Sequence, residues 1–292
     1  MSSKLPIIPL ALPLPFPSPD SVNAYLIDDD PLTLVDPGLK SSLSLERLEQ
    51  GLAAHGIDLS SIKRILLTHG HHDHFGAAGE LQRRSGAEVL IHEEDLPKLA
   101  PAGEAEGELY LANTGIPREI LGGLGRAGQM LDRYCDPIEE VGVFDSGGIV
   151  EFAHFSLQVL HLPGHSAGHT AFFWPERALL LSGDLVLPEI TTNPLAEYTM
   201  TPAGVKRTLS LAQMLDSLEQ LAELKIDLIY PGHGASIEEP LPLIDSRLAF
   251  YRQRLEEIHA LLKSTGPRNP YELALAHFGG AAQGSRYHPG GE

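Results

Sequence analysis

A single cysteine, Cys135, stands in a chain of 292 residues. No intrachain disulfide can form, nothing points to an oxidising compartment, and Cys135 reads as an ordinary thiol. Basic side chains are scarce as well: 21 lysines and arginines face 39 aspartates and glutamates, a formal charge of −18. A field of that sign repels phosphate backbones and anionic membrane surfaces. A nucleic-acid partner is therefore disfavoured, although a local basic patch could lie inside an acidic surface. The apolar stretch Leu5 to Phe16 is broken by prolines at 6, 9, 13 and 15 and follows only one charge, Lys4. It is too short to span a bilayer and reads as a leading extended segment. The expected address is the cytoplasm, with no membrane partner.

What is present suits an ordinary globular protein: 42% hydrophobic and 21% charged residues, and a length for one large domain with an appendage. Asn23 to Ile27 and Leu32 to Val35, with Asp28-Asp29-Asp30-Pro31 between them, predict a hairpin. Leu45, Leu48 and Leu52 recur at helical spacing, with Ser41 or Ser42 as cap and Gly56 as stop. Ile62 to Leu67 reads as a strand running into a histidine-rich loop, Phe75 to Arg84 as a helix, and residues 87 to 92 as a strand. Residues 94 to 138 read as a helical insertion broken by glycine and proline. Strands return at Ile149 to Ala153, Leu157 to Leu162, Thr170 to Trp174, Ala178 to Leu181 and Ile226 to Tyr230. Thr201-Pro202 predicts the start of a helix carrying Leu211, Leu215, Leu218 and Leu221. A helical extension after 238, with Leu243 to Leu262 and Tyr271 to Phe278, leads to a glycine-rich tail expected to be mobile.

The chemistry concentrates in Thr68-His69-Gly70-His71-His72-Asp73-His74. Imidazoles and a carboxylate crowded into one loop suit a borderline divalent cation such as zinc, with iron or manganese as alternatives. Further donors follow apolar strands: His165 in Pro163-Gly164-His165, Asp184 in Ser182-Gly183-Asp184, and His233 in Pro231-Gly232-His233-Gly234. Loops at strand ends converge on one edge of a sheet, and the glycines permit tight turns there.

In these motifs and their order the sequence resembles the metallo-β-lactamase superfamily, and within it the hydrolases related to glyoxalase II and the lactamase-B-like proteins. The likeness covers about residues 18 to 236. It implies an α/β fold, a four-layer αββα sandwich, over residues 1–237 as catalytic domain, with 238–292 as the helical extension. It also assigns His69, His71 and His165 to one metal, Asp73, His74 and His233 to a second, and Asp184 to both. His72 is expected to point away. His71 stands where flavodiiron-type relatives have glutamate, which argues against oxygen reduction. A hydroxide held between two cations has its pKa pulled towards neutrality and can attack a carbonyl or phosphoryl centre. Asp73 is then both ligand and catalytic residue, orienting the hydroxide. The expected reaction is hydrolysis of an ester, thioester, lactone or related bond in a small molecule.

Asp36, in Val35-Asp36-Pro37-Gly38, resembles an early family element that shapes the floor of the site, though turn chemistry alone explains it. Glu189, Thr191, Asn193 and Tyr198 follow Asp184 in a loop that can reach substrate, Tyr198 as a hydrogen-bond donor to an oxyanion. His169 reads as a loop residue rather than a partner of the ligands. His55, His92, His154, His161, His259, His277 and His288 have no ligand-like context. The basic residues with which glyoxalase II enzymes hold glutathione have no visible counterpart. Rival readings are a mononuclear iron persulfide dioxygenase, an RNA-processing nuclease, which the charge disfavours, and a metal-binding protein without activity. A homodimer is an open expectation.

Overall fold

The computed structural model describes residues 5–100, 114–145, 147–195, 197–201 and 204–279. Strand β1 (Ile7–Pro13) runs antiparallel to β2 (Ser21–Ile27), with Ile7 opposite Ile27 and Pro13 opposite Ser21. The proline-broken apolar stretch is thus a strand. Proline cannot donate to a ladder, and β1 tolerates it because it lies at the sheet edge. Next come β3 (Thr33–Val35), β4 (Arg64–Leu66), β5 (Glu88–Ile91) and β6 (Val141–Val143), giving a six-stranded sheet in the order β1-β2-β3-β4-β5-β6. From β3 to β6 the pairing is parallel, and the crossovers carry helices α1 (Ser42–Ala53) and α3 (Ala78–Ser85). Between α1 and α3, the short α2 (His72–Phe75) lies within the histidine motif, so helix begins earlier than the sequence pattern indicates.

The second sheet uses β7 (Ile149–Glu151), β8 (Ser156–His161), β9 (Thr170–Trp174), β10 (Leu179–Gly183), β13 (Leu228–Pro231) and β14 (Ile237–Glu238). Its order is β14-β13-β10-β9-β8-β7, with β10 and β13 parallel. The hairpin β11 (Tyr198–Thr201) and β12 (Gly204–Arg207) stands apart from both sheets. It corrects the helix start expected at Thr201-Pro202: Thr201 ends a strand, Pro202 lies outside the described residues, and helix α5 begins at Ser210 (Ser210–Glu223). Helix α4 (Arg118–Asp132) occupies the expected insertion, and α6 (Leu241–Thr265) with α7 (Pro270–Phe278) forms the helical extension. Residues 101–113 of the insertion and the tail from 280 lie outside the described residues.

Period-two alternation along the strands builds the layers. Val35 and Leu66 from the first sheet meet Val159, Phe172 and Leu181 from the second in one buried cluster between the sheets. Their strand neighbours Leu34 and Ile65 point the other way, onto Leu48 and Leu52 of α1 and Leu81 of α3. Leu180 and Ile229 pack on Met214 and Leu218 of α5 and Ile244, Leu248 and Tyr251 of α6. Each such side chain contributes roughly 1.5–3 kcal/mol on burial. The result is a four-layer αββα sandwich. Among the described residues no helix is long and apolar enough to cross a membrane.

Candidate metal centre

Four loops converge where the strands end. His69 to His74 follow β4, His165 follows β8, Asp184 follows β10 and His233 follows β13. The convergence depends on close backbone approach. A Cβ on Gly232 would sit 2.1 Å from Asp184 Oδ1 and 2.8 Å from His74 Cε1, and Gly183, at φ +51°, turns under Thr68 and His169. Hydrogen bonds tie the two sheets together at this seam: Thr170 N donates to Thr68 O at 2.8 Å, and Asn23 N to Gly232 O at 2.7 Å. Tyr25 Oη adds a 2.6 Å bond to Pro231 O.

All seven anticipated side chains meet there. His69, His71 and His165 form one group, Asp73, His74 and His233 another, and His69, His74 and Asp184 a third, with donor atoms within 4.8 Å inside each group. Asp184 Oδ1 is 3.4 Å from His74 Nε2, and its Oδ2 is 3.6 Å from His165 Nε2 and 3.4 Å from His233 Nε2. Asp73 Oδ2 lies 3.3 Å from His233 Nε2. Ligands about 2.1 Å from a tetrahedral zinc are separated by roughly 3.4 Å, so these spacings suit donors that share an ion.

Four of the imidazoles are held through their outer nitrogens. His69 Nδ1 meets Thr68 Oγ1 at 3.0 Å, His74 Nδ1 meets Asp36 Oδ2 at 2.9 Å, His165 Nδ1 donates to Asn193 O at 3.0 Å, and His233 Nδ1 to Ser21 O at 2.6 Å. Each arrangement turns Nε2 inward with its lone pair free for a metal. Asp36 also accepts from Thr68 N and Oγ1 at 2.8 and 2.7 Å. It is therefore more than a turn former, with φ +52° at the end of β3.

Among the described residues seven buried side-chain N or O atoms have no hydrogen-bond partner, and four belong to this cluster: Nε2 of His69, His74 and His165, and Oδ1 of Asp184. Orphaned buried polar atoms are rare because each costs about 1–3 kcal/mol. All four belong to the overlapping donor groups described above, which fits residence of a cation there. The titration behaviour agrees. Burial alone would depress His74 and His233, but Asp184 and its carboxylate neighbours overcome it, lifting His74 well above its usual range and His233 to about 10. Burial also opposes ionisation of Asp73, yet His74 and His233 bring it down to about 2. The carboxylates hold positive charge at this spot, whether carried by protons or by metal.

His72 points away, its Nε2 3.1 Å from Asp132 Oδ1. His169 is more than a loop residue. It has no exposed surface, and its Nε2 accepts from Asp184 N at 3.1 Å, fixing the backbone of the central carboxylate. Asp95, which carries no sequence signal, is equally buried and joins two loops. Its Oδ2 accepts from Gly70 N at 2.8 Å and Ser166 Oγ at 2.7 Å, and its Oδ1 from Gly168 N at 2.7 Å and Lys98 Nζ at 2.8 Å. Lys98 also pairs with Glu197.

The loop after Asp184 is built from both sides. Thr192 Oγ1 donates to Asp184 O at 2.6 Å. From α6, Arg247 donates to Leu187 O, Pro188 O, Ile190 O and Thr191 Oγ1 at 3.2 to 3.4 Å, and Tyr251 Oη bonds Thr192 O. A groove of about 370 Å³ opens beside His233 between this loop and the Pro17–Ser21 turn, with Glu189 and Asp20 on its walls. Tyr198 lies in β11, and its side chain is outside the described residues. His92, Glu94 and His161 also gather, which the sequence reading did not anticipate. The two rings stack 3.9 Å apart and 16° from parallel, so their in-plane lone pairs run side by side instead of converging on one ion.

Residues 17–233 match the model of the metallo-beta-lactamase superfamily. The chain belongs to this superfamily. Among superfamily relatives, it is 29% identical over 266 residues to a probable metallo-hydrolase, YqjP, of Bacillus subtilis strain 168, covering 88% of this chain and 80% of that one. The hydroxyacylglutathione hydrolase GloC of Haemophilus influenzae is 30% identical over 167 residues, 56% of this chain and 66% of the relative. In structure, the chain is similar to a metallo-beta-lactamase family protein of Thermus thermophilus, with a TM-score of 0.78 and 30% identity over 94% of this chain and 87% of that one. The superfamily fold and the clustered histidines and aspartates mark a metal-dependent hydrolase in the broad sense.

Proposed function

We propose that the chain hydrolyses an ester, thioester, lactone or related carbonyl bond at a binuclear centre. His69, His71 and His165 would hold one divalent ion, Asp73, His74 and His233 the other, and Asp184 would offer its carboxylate to both, with zinc the first choice of metal. The observation that carries the reading is that four orphaned buried donor atoms fall within overlapping groups of ligand-type side chains whose donors lie close together. When bound, such ions supply a hydroxide nucleophile at neutral pH and a Lewis acid for the carbonyl oxygen. The chain's residues do the rest. Asp36, Thr68, Asn193 O and Ser21 O orient the imidazoles. Asp73, whose side chain is 25% exposed, presents its carboxylate to solvent and aims the attacking nucleophile by accepting a hydrogen bond. The groove beside His233 receives the substrate.

The name of the Haemophilus relative, a hydroxyacylglutathione hydrolase, supports carbonyl chemistry and a thioester among the candidates. A solved relative described as a di-iron-bound form, 27% identical with a TM-score of 0.53 over 81% of this chain and 96% of that one, keeps iron beside zinc. Mass spectrometry of protein purified without added metal tests the reading. Near two zinc, manganese or iron per chain, with turnover on an ester, thioester and lactone panel, is expected. One iron per chain with oxygen consumption on a persulfide would replace hydrolysis by dioxygenase chemistry.

A further inference from the structure

The groove beside His233 is a built feature. One wall is the Leu187–Ile190 loop, whose carbonyls at Leu187, Pro188 and Ile190 are gripped by Arg247 of α6. The other is the turn Pro17 to Ser21. Ser21 O holds the Nδ1 proton of His233, and Asp20 O accepts from Leu14 N at 2.8 Å. Both walls are thereby fixed to the frame that positions the candidate metal ligands, and His233, only 5% exposed, is part of the groove's lining. Arg247 is engaged behind its wall.

Its lining has a definite chemistry. Pro17, Pro19, Leu187, Pro188 and Ile190 are apolar, and the two charged side chains, Asp20 and Glu189, are both carboxylates. Among the described residues no lysine or arginine lines it, and the chain's net charge of −18 adds a field of the same sign. Glutathione carries two carboxylates against one ammonium, a net negative charge, and the groove offers those carboxylates no cationic partner.

Resting on the hydrolase reading above, we propose that this groove binds the part of the substrate remote from the scissile bond. It selects a chain bearing a positive charge, such as an alkylammonium, over one bearing a carboxylate. Each carboxylate several ångströms from an ammonium group in water is worth about threefold in affinity, and repulsion of an anion doubles the contrast on a logarithmic scale. After screening by salt, about tenfold discrimination is expected.

The experiment uses the metal-loaded 292-residue chain and 4-nitrophenyl hexanoates whose terminal carbon bears trimethylammonium, methyl or carboxylate. The ammonium ester is expected to exceed the carboxylate ester about tenfold in kcat/KM, chiefly through KM. The ratio should collapse towards one in the Asp20→Asn/Glu189→Gln double variant and at high salt. An equal or inverted ratio in the wild-type chain overturns the proposal. Calorimetric binding of hexyltrimethylammonium against hexanol supplies a readout independent of turnover. If none of these esters is hydrolysed, and the thioester and lactone panel is inert as well, the hydrolase reading fails. Tighter binding of the ammonium, lost in the double variant, would then still uphold the groove's charge preference, and equal binding would overturn it.

Discussion

Replacing Asp95 by asparagine tests whether one buried carboxylate sets the geometry of two ligand loops. Asp95 has no exposed surface and accepts four hydrogen bonds, two on each oxygen. An asparagine keeps one acceptor oxygen and turns the other into an NH2 group facing two donors. Aimed towards Lys98 and Gly168, the amide opposes an ammonium and an N–H. Aimed towards Gly70 and Ser166, it lets the Ser166 hydroxyl rotate and accept but leaves Gly70 N unpaired. The milder orientation therefore costs one buried N–H and the charge assistance to Lys98, about 2–4 kcal/mol. Because Gly70 lies between His69 and His71, and Ser166 to Gly168 follow His165, metal affinity should also fall at least about tenfold. Urea unfolding followed by circular dichroism gives the stability, and metal content after dialysis against a weak chelator gives the affinity. A variant within about 0.5 kcal/mol of wild type that keeps its metal would refute the bridging role of Asp95.

Three further outcomes follow from the same structure. Burial alone would raise the Asp95 carboxyl, but Lys98 and the donors on Gly70 and Ser166 bring it from 3.8 to about 2. The unfolded chain thus takes up this proton first on acidification. The stabilisation is complete above pH 4 and disappears as pH falls through 2, worth roughly 2 kcal/mol, and acid titration of wild type against Asp95→Asn should show that difference. Arg247→Met removes four hydrogen bonds to the 187–191 loop; hydrogen exchange should quicken there and KM rise several-fold more than kcat falls, whereas unchanged exchange would deny the clamp. Burial, with Asp132 nearby, pushes the Cys135 thiol to about 12, so iodoacetamide at pH 8 should leave it unmodified by mass spectrometry in the folded protein and alkylate it in urea.

The histidine and aspartate cluster was legible because its residue types are chemically costly to gather without a reason. His69, His71, Asp73 and His74 in one short loop announce themselves, and glycines before His165, Asp184 and His233 mark tight turns after strands. Long-range partners were not legible. Asp95 sits in Glu93-Glu94-Asp95, where it looks like one more solvated acid, and only the fold shows that it faces Gly70 and Ser166. His169 reads as a loop residue because its partner, the amide of Asp184, is remote in sequence. The strand β1 was hidden by its prolines, whose tolerance depends on an edge position that no local pattern reveals. At Thr201-Pro202 a good capping pair lost to strand pairing, since Tyr198 to Thr201 found partners in Gly204 to Arg207. Arg247 lay in an extension whose apolar stripe was visible and whose contact with the 187–191 loop was not.

The donors of each metal group come from both sheets: His69, His71, Asp73 and His74 from the first, His165, Asp184 and His233 from the second. An ion held by both sets acts as a rivet across the sandwich, joining chain positions far apart in sequence. With such an ion bound, pulling the layers apart would require ligands to leave it, and the lifetime of the folded state would inherit the slowness of metal release. A chelator would shorten that lifetime by opening the seam, with no change to the apolar layers that flank it.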